Sequence, residues 1–287
     1  MPELPEVEIV KQSLNKKIKG KIIQKVLVKN RNLRFKVHDN FEKKIRKKKI
    51  TKINRFSKYI ILKFEDNSGF IIHLGMSGTI HLVDKVKKNT ITNSSFYNSA
   101  ALPKKHNHIE IKFNKTKLIY NDPRRFGYLL IFNNKKELKE KFSHFGPEPF
   151  SSDFTVNYIC NYFKNKEKNI KNFLLDQKFV SGIGNIYASE ILFFSKIIPT
   201  RKAKKLTLYD CKKLFYFSRL VLKKAIKQGG SSIRDFKDIK GRKGSFQKNF
   251  FVYQRENSSC LKPKCFGIIK KKIISKRSSF FCNICQK

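Results

Sequence analysis

The sequence predicts an α+β protein: a mainly β first half, a helical second half and a cysteine-rich module at the end. Three observations carry this. Residues 21–132 hold short apolar runs of strand-like period, such as KIIQKVLV, YIILKF, FIIHLGMSGTIHLV and HIEIKF. Residues 153–228 space their apolar side chains as a helix does. Four of the six cysteines crowd into residues 260–285.

The elements follow in chain order. Residues 2–14 predict a helix: Pro2 suits its first turn, and Glu3 and Glu6 suit the positive end of its dipole. Leu4, Val7, Val10 and Leu14 then repeat at helical spacing. The strands that follow are separated by turn residues, as at Asp66-Asn67-Ser68-Gly69 and Asn121-Asp122-Pro123. They fit a sandwich or a barrel. The polar stretch 83–107 reads as a loop insertion. Residues 133–153 show no clean period, and a domain hinge is expected there. Cys211, Leu214, Phe215, Ser218, Val221, Leu222 and Ala225 make the clearest helical stripe, which Gly229-Gly230 ends. Residues 230–250 form a basic loop. Cys160 and Cys211 stand alone in helical segments and are expected as small buried hydrophobes.

Charge narrows the function. Lys and Arg number 65 against 21 Asp and Glu, a formal charge of +44. Richness in Lys, Asn, Ile and Phe without Trp is also what AT-rich coding produces, so part of the excess is drift. The remainder still calls for a polyanionic partner. No apolar run approaches the roughly 18 residues of a membrane span. The N-terminus is acidic where a signal peptide would be basic. A soluble cytoplasmic protein that binds nucleic acid rather than membrane is expected.

Four places carry candidate chemistry. Cys260, Cys265, Cys282 and Cys285 form two knuckles that supply a closed tetrahedral site, so one structural Zn2+ is expected. Such binding contributes about 10–16 kcal/mol, enough to fold a hairpin with little core. Lys262, Lys264, Lys270, Lys271, Lys272, Lys276 and Arg277 surround the ligands, as a phosphate-facing module requires. At the other end, removal of Met1 would leave Pro2 with a secondary α-amine. Its neutral fraction at pH 7 exceeds that of a lysine by roughly a hundred-fold, which makes it a candidate nucleophile. Glu3 and Glu6 are the adjacent acid/base groups. A plain Pro-Glu helix start is the competing reading. Third, Asn121 to Gly127 offers Arg and Phe on a turn, a candidate wedge and partner for an orphaned base, or simply a hairpin turn. Fourth, Ser181 to Tyr187 is a Gly-rich turn into a helix, which can hold a phosphate or merely join two helices.

Together these places resemble the bacterial formamidopyrimidine-DNA glycosylase family. The matches run in order along the chain: MPELPEVE at the start, RFSKYIIL at 55–62, HLGMSG at 73–78, KHNHIEI at 105–111, DPRRFG at 122–127, GPEP at 146–149, GIGNIYASE at 182–190, GGSSIRDF at 229–236 and the four cysteines. The resemblance implies an N-terminal helix with a β-sandwich (1–132), a hinge (133–152), a helix–two-turn–helix domain with a lesion-side loop (153–250) and a zinc-finger hairpin (251–287). It implies excision of oxidised purines such as 8-oxoguanine and formamidopyrimidines from double-stranded DNA, then strand cleavage by β,δ-elimination. No soluble cofactor is implied, and a monomer is expected.

Residue by residue, the resemblance makes Pro2 the Schiff-base nucleophile, Glu3 the general acid/base and Glu6 a supporting carboxylate. Lys58 assists elimination and contacts phosphate. His106, Arg124, Lys166 and Asn185 match DNA contacts. Met76, Arg124 and Phe126 match the trio that fills the hole left by the flipped nucleotide. Arg277 matches a zinc-finger arginine linked to phosphate binding and δ-elimination. The chain departs from the family in places. Its first knuckle has four intervening residues where two are usual. Ser245 stands in a usual Gly-Tyr-Phe, Gln254 in a usual Val-Tyr-Gly-Arg, and GGSSI replaces Gly-Gly-Thr-Thr-Leu. The 83–107 stretch is long. These changes bear on the lesion-side loop, not on the amine chemistry. Two alternatives stand beside this reading: the sister family, endonuclease VIII, which acts on oxidised pyrimidines, and a zinc-ribbon DNA-binding protein without catalysis.

Overall fold

The computed structural model describes residues 2–84, 90–92, 104–231 and 246–287. It divides into two compact units. One comprises Met1–Ser143 with Gln228–Gln247, the other His144–Lys227 with Lys248–Lys287. Among the described residues, no helix is long and apolar enough to cross a membrane.

The first unit opens with α1 (Leu4–Ile18), whose Leu4, Val7, Val10, Leu14 and Ile18 are all buried. Strand β1 (Lys25–Val28) and a short helix α2 (Phe41–Ile45) follow. Then come β2 (Ile50–Phe56), β3 (Tyr59–Phe64), β4 (Gly69–His73), β5 (Thr79–Asp84), β6 (Thr90–Thr92), β7 (Asn107–Lys112), β8 (Thr116–Asn121) and β9 (Tyr128–Phe132). They build two antiparallel sheets, ordered β1-β7-β8-β5-β6 and β2-β3-β4-β9. Alternation along the strands explains the packing. Ile60, Leu62, Phe70 and Ile72 face a core shared with Ile80, Ile109, Leu118 and the apolar face of α1. The intervening Ile61 and Ile71 point the other way, onto Phe132 and Leu138.

Leu138 belongs to α3 (Lys135–Phe142), a helix inside the segment expected to be an aperiodic hinge. The Asn134 side chain caps it by accepting from the Glu137 amide. Within 83–107 the structure has the end of β5, β6, a 3-10 turn at Lys104–His106 and the first residue of β7, while residues 85–89 and 93–103 lie outside the described residues.

The second unit holds α4 (Val156–Phe163), α5 (Ile170–Leu175), α6 (Asn185–Phe194), α7 (Leu208–Lys227) and the hairpin β10 (Ile269–Ile274) and β11 (Arg277–Cys282). Helix α6 is buried from Ile186 to Phe193, so it is the centre of this unit rather than a surface helix. Glu190 is fully enclosed there. Its carboxylate accepts from the amides of Phe251, Val252 and Tyr253 at 2.8–3.0 Å, which fixes the chain entering the cysteine module. Burial pushes its pKa up, and the three amides oppose that rise. Cys211 is buried as expected. Cys160 is only partly buried and hydrogen-bonds Cys211, whose thiol is pushed up to about 12, chiefly by burial. Gly229 and Gly230 follow α7 with φ of +80° and +81°, the left-handed stop their residue type allows. The basic loop to 250, expected with the helices, divides otherwise: Gln228 to Ser231 group with the first unit.

Candidate functional site

Pro2 stands just ahead of α1. Glu3 is the extended N-cap residue, at φ −100° and ψ −173°. Its side chain accepts from the Glu6 amide, while its own N–H donates to Glu6 Oε2 at 2.9 Å, a reciprocal capping box. Both carboxylates are buried at the positive end of the helix dipole, which lowers the cost of holding them there. The second oxygen of Glu6 is also engaged: Oε1 accepts the Ser231 amide at 2.8 Å and its hydroxyl at 2.9 Å. Gly230 makes this approach possible, since a Cβ there would stand 3.0 Å from Glu6 Oε1 at φ +81°.

Lys58 is buried in the turn between β2 and β3, after Ser57 at φ +53°. Arg55 braces the turn, giving Nη1 to the Ser57 carbonyl at 2.9 Å and Nε to Glu8 of α1 at 3.0 Å. Lys58 is close enough to His73 to act on its charge. Burial, then the Lys58 ammonium, then Arg34 lower the His73 pKa to about 4. The ring stacks on Tyr128 at 5.0 Å and packs on Tyr59 at 4.8 Å. An uncharged His73 beside a charged Lys58 is the consequence.

The loops carrying Met76 and Arg124-Phe126 meet through Asp122. Asp122 is fully buried and accepts from Ser77 Oγ at 2.5 Å, the Tyr120 hydroxyl at 3.1 Å and the Gly127 amide at 2.8 Å. Ser77 Oγ in turn accepts the Arg124 amide at 3.2 Å. Gly75 packs so closely on the Phe126–Gly127 backbone that a Cβ would lie 2.4 Å from Phe126. On this frame Met76 and Phe126 are exposed, and the Arg124 guanidinium lies 4.6 Å above the Phe126 ring. His106 sits on the adjoining 3-10 turn, and its carbonyl accepts the Asp122 amide at 3.0 Å. Its own pKa is lowered by burial and by Lys105.

In the second unit, Asn185 is the first residue of α6, after the glycine turn, and its side-chain amide donates to the Ser278 carbonyl at 3.0 Å. The ammonium of buried Lys171 reaches the same carbonyl at 3.4 Å. The start of α6 is thus tied to the residue beside Arg277, which is exposed at the hairpin turn between Ser275 and Lys276, both of positive φ, and β11. Lys166 follows α4 with its ammonium 5.7 Å from the Tyr162 ring, and no bond joins it to Asn185 or Arg277 among the described residues.

The four predicted cysteines converge, all sulfurs lying within 4.8 Å of one another. Cys260–Cys285 and Cys265–Cys282 are each separated by 3.8 Å, and Cys265–Cys285 by 3.2 Å. Tetrahedral thiolates about 2.3 Å from a zinc ion stand about 3.8 Å apart, so the donor set fits such an ion. Amides of Gly267 and Cys285 point at sulfurs of Cys265 and Cys282 at 3.4 Å, as a knuckle requires. Gly267 is needed, because a Cβ there would be 2.5 Å from Cys282 Sγ. The four-residue spacing of the first knuckle does not prevent closure.

Two family models match, the formamidopyrimidine-DNA glycosylase N-terminal domain over residues 1–129 and its H2TH domain over residues 145–237. The chain belongs to the formamidopyrimidine-DNA glycosylase family. Proteins named formamidopyrimidine-DNA glycosylase are similar over its whole length: one from Wolbachia pipientis wMel is 40% identical, with 100% of both chains covered. Another, from Legionella pneumophila, is 39% identical over 100% of this chain and 98% of its own. Among solved structures, a Lactococcus lactis FPG mutant in complex with Fapy-dG-containing DNA superposes with a TM-score of 0.87 at 32% identity, covering both chains fully. MutM in complex with DNA containing carbocyclic 8-oxo-G gives a TM-score of 0.86, also at 32% identity and full coverage. The fold is accordingly that of the glycosylase family, sandwich rather than barrel in the first unit and H2TH in the second.

Several residues escaped the sequence reading. Asp122 carries the frame of the loops that hold Met76 and Arg124-Phe126, and only an Asp-Pro turn marked it. Ser77 lay inside the HLGMSG motif without being singled out, and Tyr120 gave no signal. Ser231 meets Glu6 from 225 positions away. Glu190 lay inside a recognised motif, but nothing in its pattern declared an enclosed carboxylate.

Proposed function

We propose that this glycosylase excises oxidised purines, 8-oxoguanine and formamidopyrimidines, from double-stranded DNA through the amine of Pro2 and then opens the strand. As a member of its family the chain is a base-excision repair enzyme, a DNA glycosylase and AP lyase. The Pro2 nitrogen attacks C1′ of the damaged nucleoside as its bond to the base breaks, and the base leaves with a proton. The C1′–O4′ bond then opens, O4′ takes a proton, and the resulting iminium acidifies C2′. Loss of that proton expels the 3′ phosphate, and a second elimination expels the 5′ phosphate. Glu3 is the acid/base for these transfers, and Glu6, saturated by Ser231 and the Glu3 amide, holds the turn. Lys58 supports elimination as a cation beside neutral His73.

Met76, Arg124 and Phe126 would refill the stack on nucleotide extrusion, which costs a few kcal/mol. His106, Lys166, Asn185 and Arg277 would bind phosphates. The four cysteines would hold one zinc ion whose contribution is structural, with no open coordination position. The protein would act as a monomer in the bacterial cytosol. Ser245 and the loop around it lie outside the described residues, as does Met1.

The observation that supports this reading most is the pairing of an N-terminal proline with a buried Glu3–Glu6 capping box. Borohydride trapping on a duplex with 8-oxoguanine opposite cytosine tests it. A covalent adduct mapped to Pro2 by mass spectrometry is expected. An adduct only with an oxidised pyrimidine would move the substrate class to that of the sister family. No adduct from metal-loaded protein lacking Met1 would leave DNA binding without the chemistry.

A further inference from the structure

The knuckle end of the cysteine module presents a surface that strand cleavage does not use. Phe266 is 93% exposed, Leu261 53% and Ile284 52%. Solvating a phenylalanine so completely is unfavourable, and apolar side chains clustered inside a charged rim mark protein contact surfaces. Beside them opens a pocket of about 500 Å3, lined by Phe266 and Ile284 and rimmed by Lys196, Lys262 and Lys264. The acidic residue of its lining, Asp210, is already committed to Arg201 at 3.1 Å and Lys213 at 3.2 Å. The rim is therefore strongly positive.

This surface is built by the chain's own peculiarity. The four residues between Cys260 and Cys265 are Leu261-Lys262-Pro263-Lys264. Pro263 fixes the backbone ahead of Lys264 at φ +60°, so the two lysines and Phe266 stand on a preorganised turn. β11 runs six residues from Arg277 to Cys282 at the knuckle, so the two ends of the hairpin are separated by about 17 Å. A phosphate backbone would use the lysines but not three exposed hydrophobic side chains. An acidic peptide with an aromatic or aliphatic anchor would use both.

We propose that the knuckle end of this module is a docking site for an acidic peptide segment of a partner protein, its carboxylates meeting Lys196, Lys262 and Lys264 and its apolar anchor packing on Phe266 and Ile284. The test uses the full-length, metal-loaded protein and a fluorescein-labelled decapeptide of aspartate and glutamate with a single phenylalanine, read by anisotropy. Replacing the peptide's phenylalanine by serine weakens binding at least about ten-fold, and Phe266→Ser does the same. Phe266→Ser leaves zinc content and cleavage of an 8-oxoguanine duplex unchanged, which separates this surface from the catalytic reading. Equal binding by both peptides, or an unaffected Phe266→Ser protein, would reduce the interaction to diffuse charge and overturn the proposal. Competitive displacement of the peptide by undamaged duplex, with Phe266→Ser weakening the duplex as well, would assign the surface to DNA and overturn it too.

Discussion

The first turn of α1 and the cysteine knuckles both immobilise a few polar groups, but on different foundations. The first turn rests on a sandwich core shared by two sheets and α1, so its carboxylates are fixed by a frame that exists without them. The knuckles rest on Val252, Ile269, Phe280, Phe193 and the cysteines themselves. A cluster that small gives the module little core of its own, and the proposed zinc ion would supply the remainder. Function in the first region therefore fails through chemistry, with the fold intact. In the second it fails through folding.

The largest effect expected from this contrast is at Pro2. Pro2→Thr should lower glycosylase and lyase rates by at least about a thousand-fold and abolish borohydride trapping, while the melting temperature stays put. A large stability loss would mean that the first turn is not independently framed. Metal removal should behave oppositely. Chelation, or Cys282→Ser, should weaken DNA affinity by about a hundred-fold as the hairpin and its Arg277 are lost, with the near-UV signal of the sandwich tyrosines retained. Collapse of the sandwich signal as well would break the comparison.

Acid should separate the regions further. His73 and His81 are each held at about 4 against an ordinary 6.5, both chiefly by burial. Between those values the unfolded chain binds more protons than the folded one, so stability is full above 6.5 and falls as pH drops toward 4. The loss approaches about 3 kcal/mol per histidine. Urea midpoints at pH 7.5 and 4.5, compared with those of His81→Gln, should show the variant losing less; parallel losses would dismiss the histidine's part. Smallest is Asp122→Asn, which disturbs the acceptor for Ser77, Tyr120 and Gly127 and should cost about 1–3 kcal/mol. Hydrogen exchange at the Gly127 amide, which donates to Asp122, is the readout, and unchanged protection would remove Asp122 from its place as the frame.

The parts legible in the sequence were those whose physics is local. α1 declared itself through Leu4, Val7, Val10 and Leu14, and the metal site through cysteine spacing alone. Alternation revealed the strands but not their division into two sheets, because pairing β1 with β7 and β4 with β9 joins distant residues. α3 stayed hidden because Leu138 is its one buried apolar residue. The named site residues came from motif resemblance. Their supports did not: Asp122 and Ser231 act through contacts 45 and 225 positions long, which no local period records.

The bond from Ser231 to Glu6 also orders events in time. A ribosome delivers Pro2, Glu3 and Glu6 first and Ser231 more than two hundred residues later. Until then Glu6 Oε1 does not have the Ser231 amide and hydroxyl from which it accepts in the finished protein. A product ending within α7 would lack Ser231 and so would carry Glu6 without this anchor.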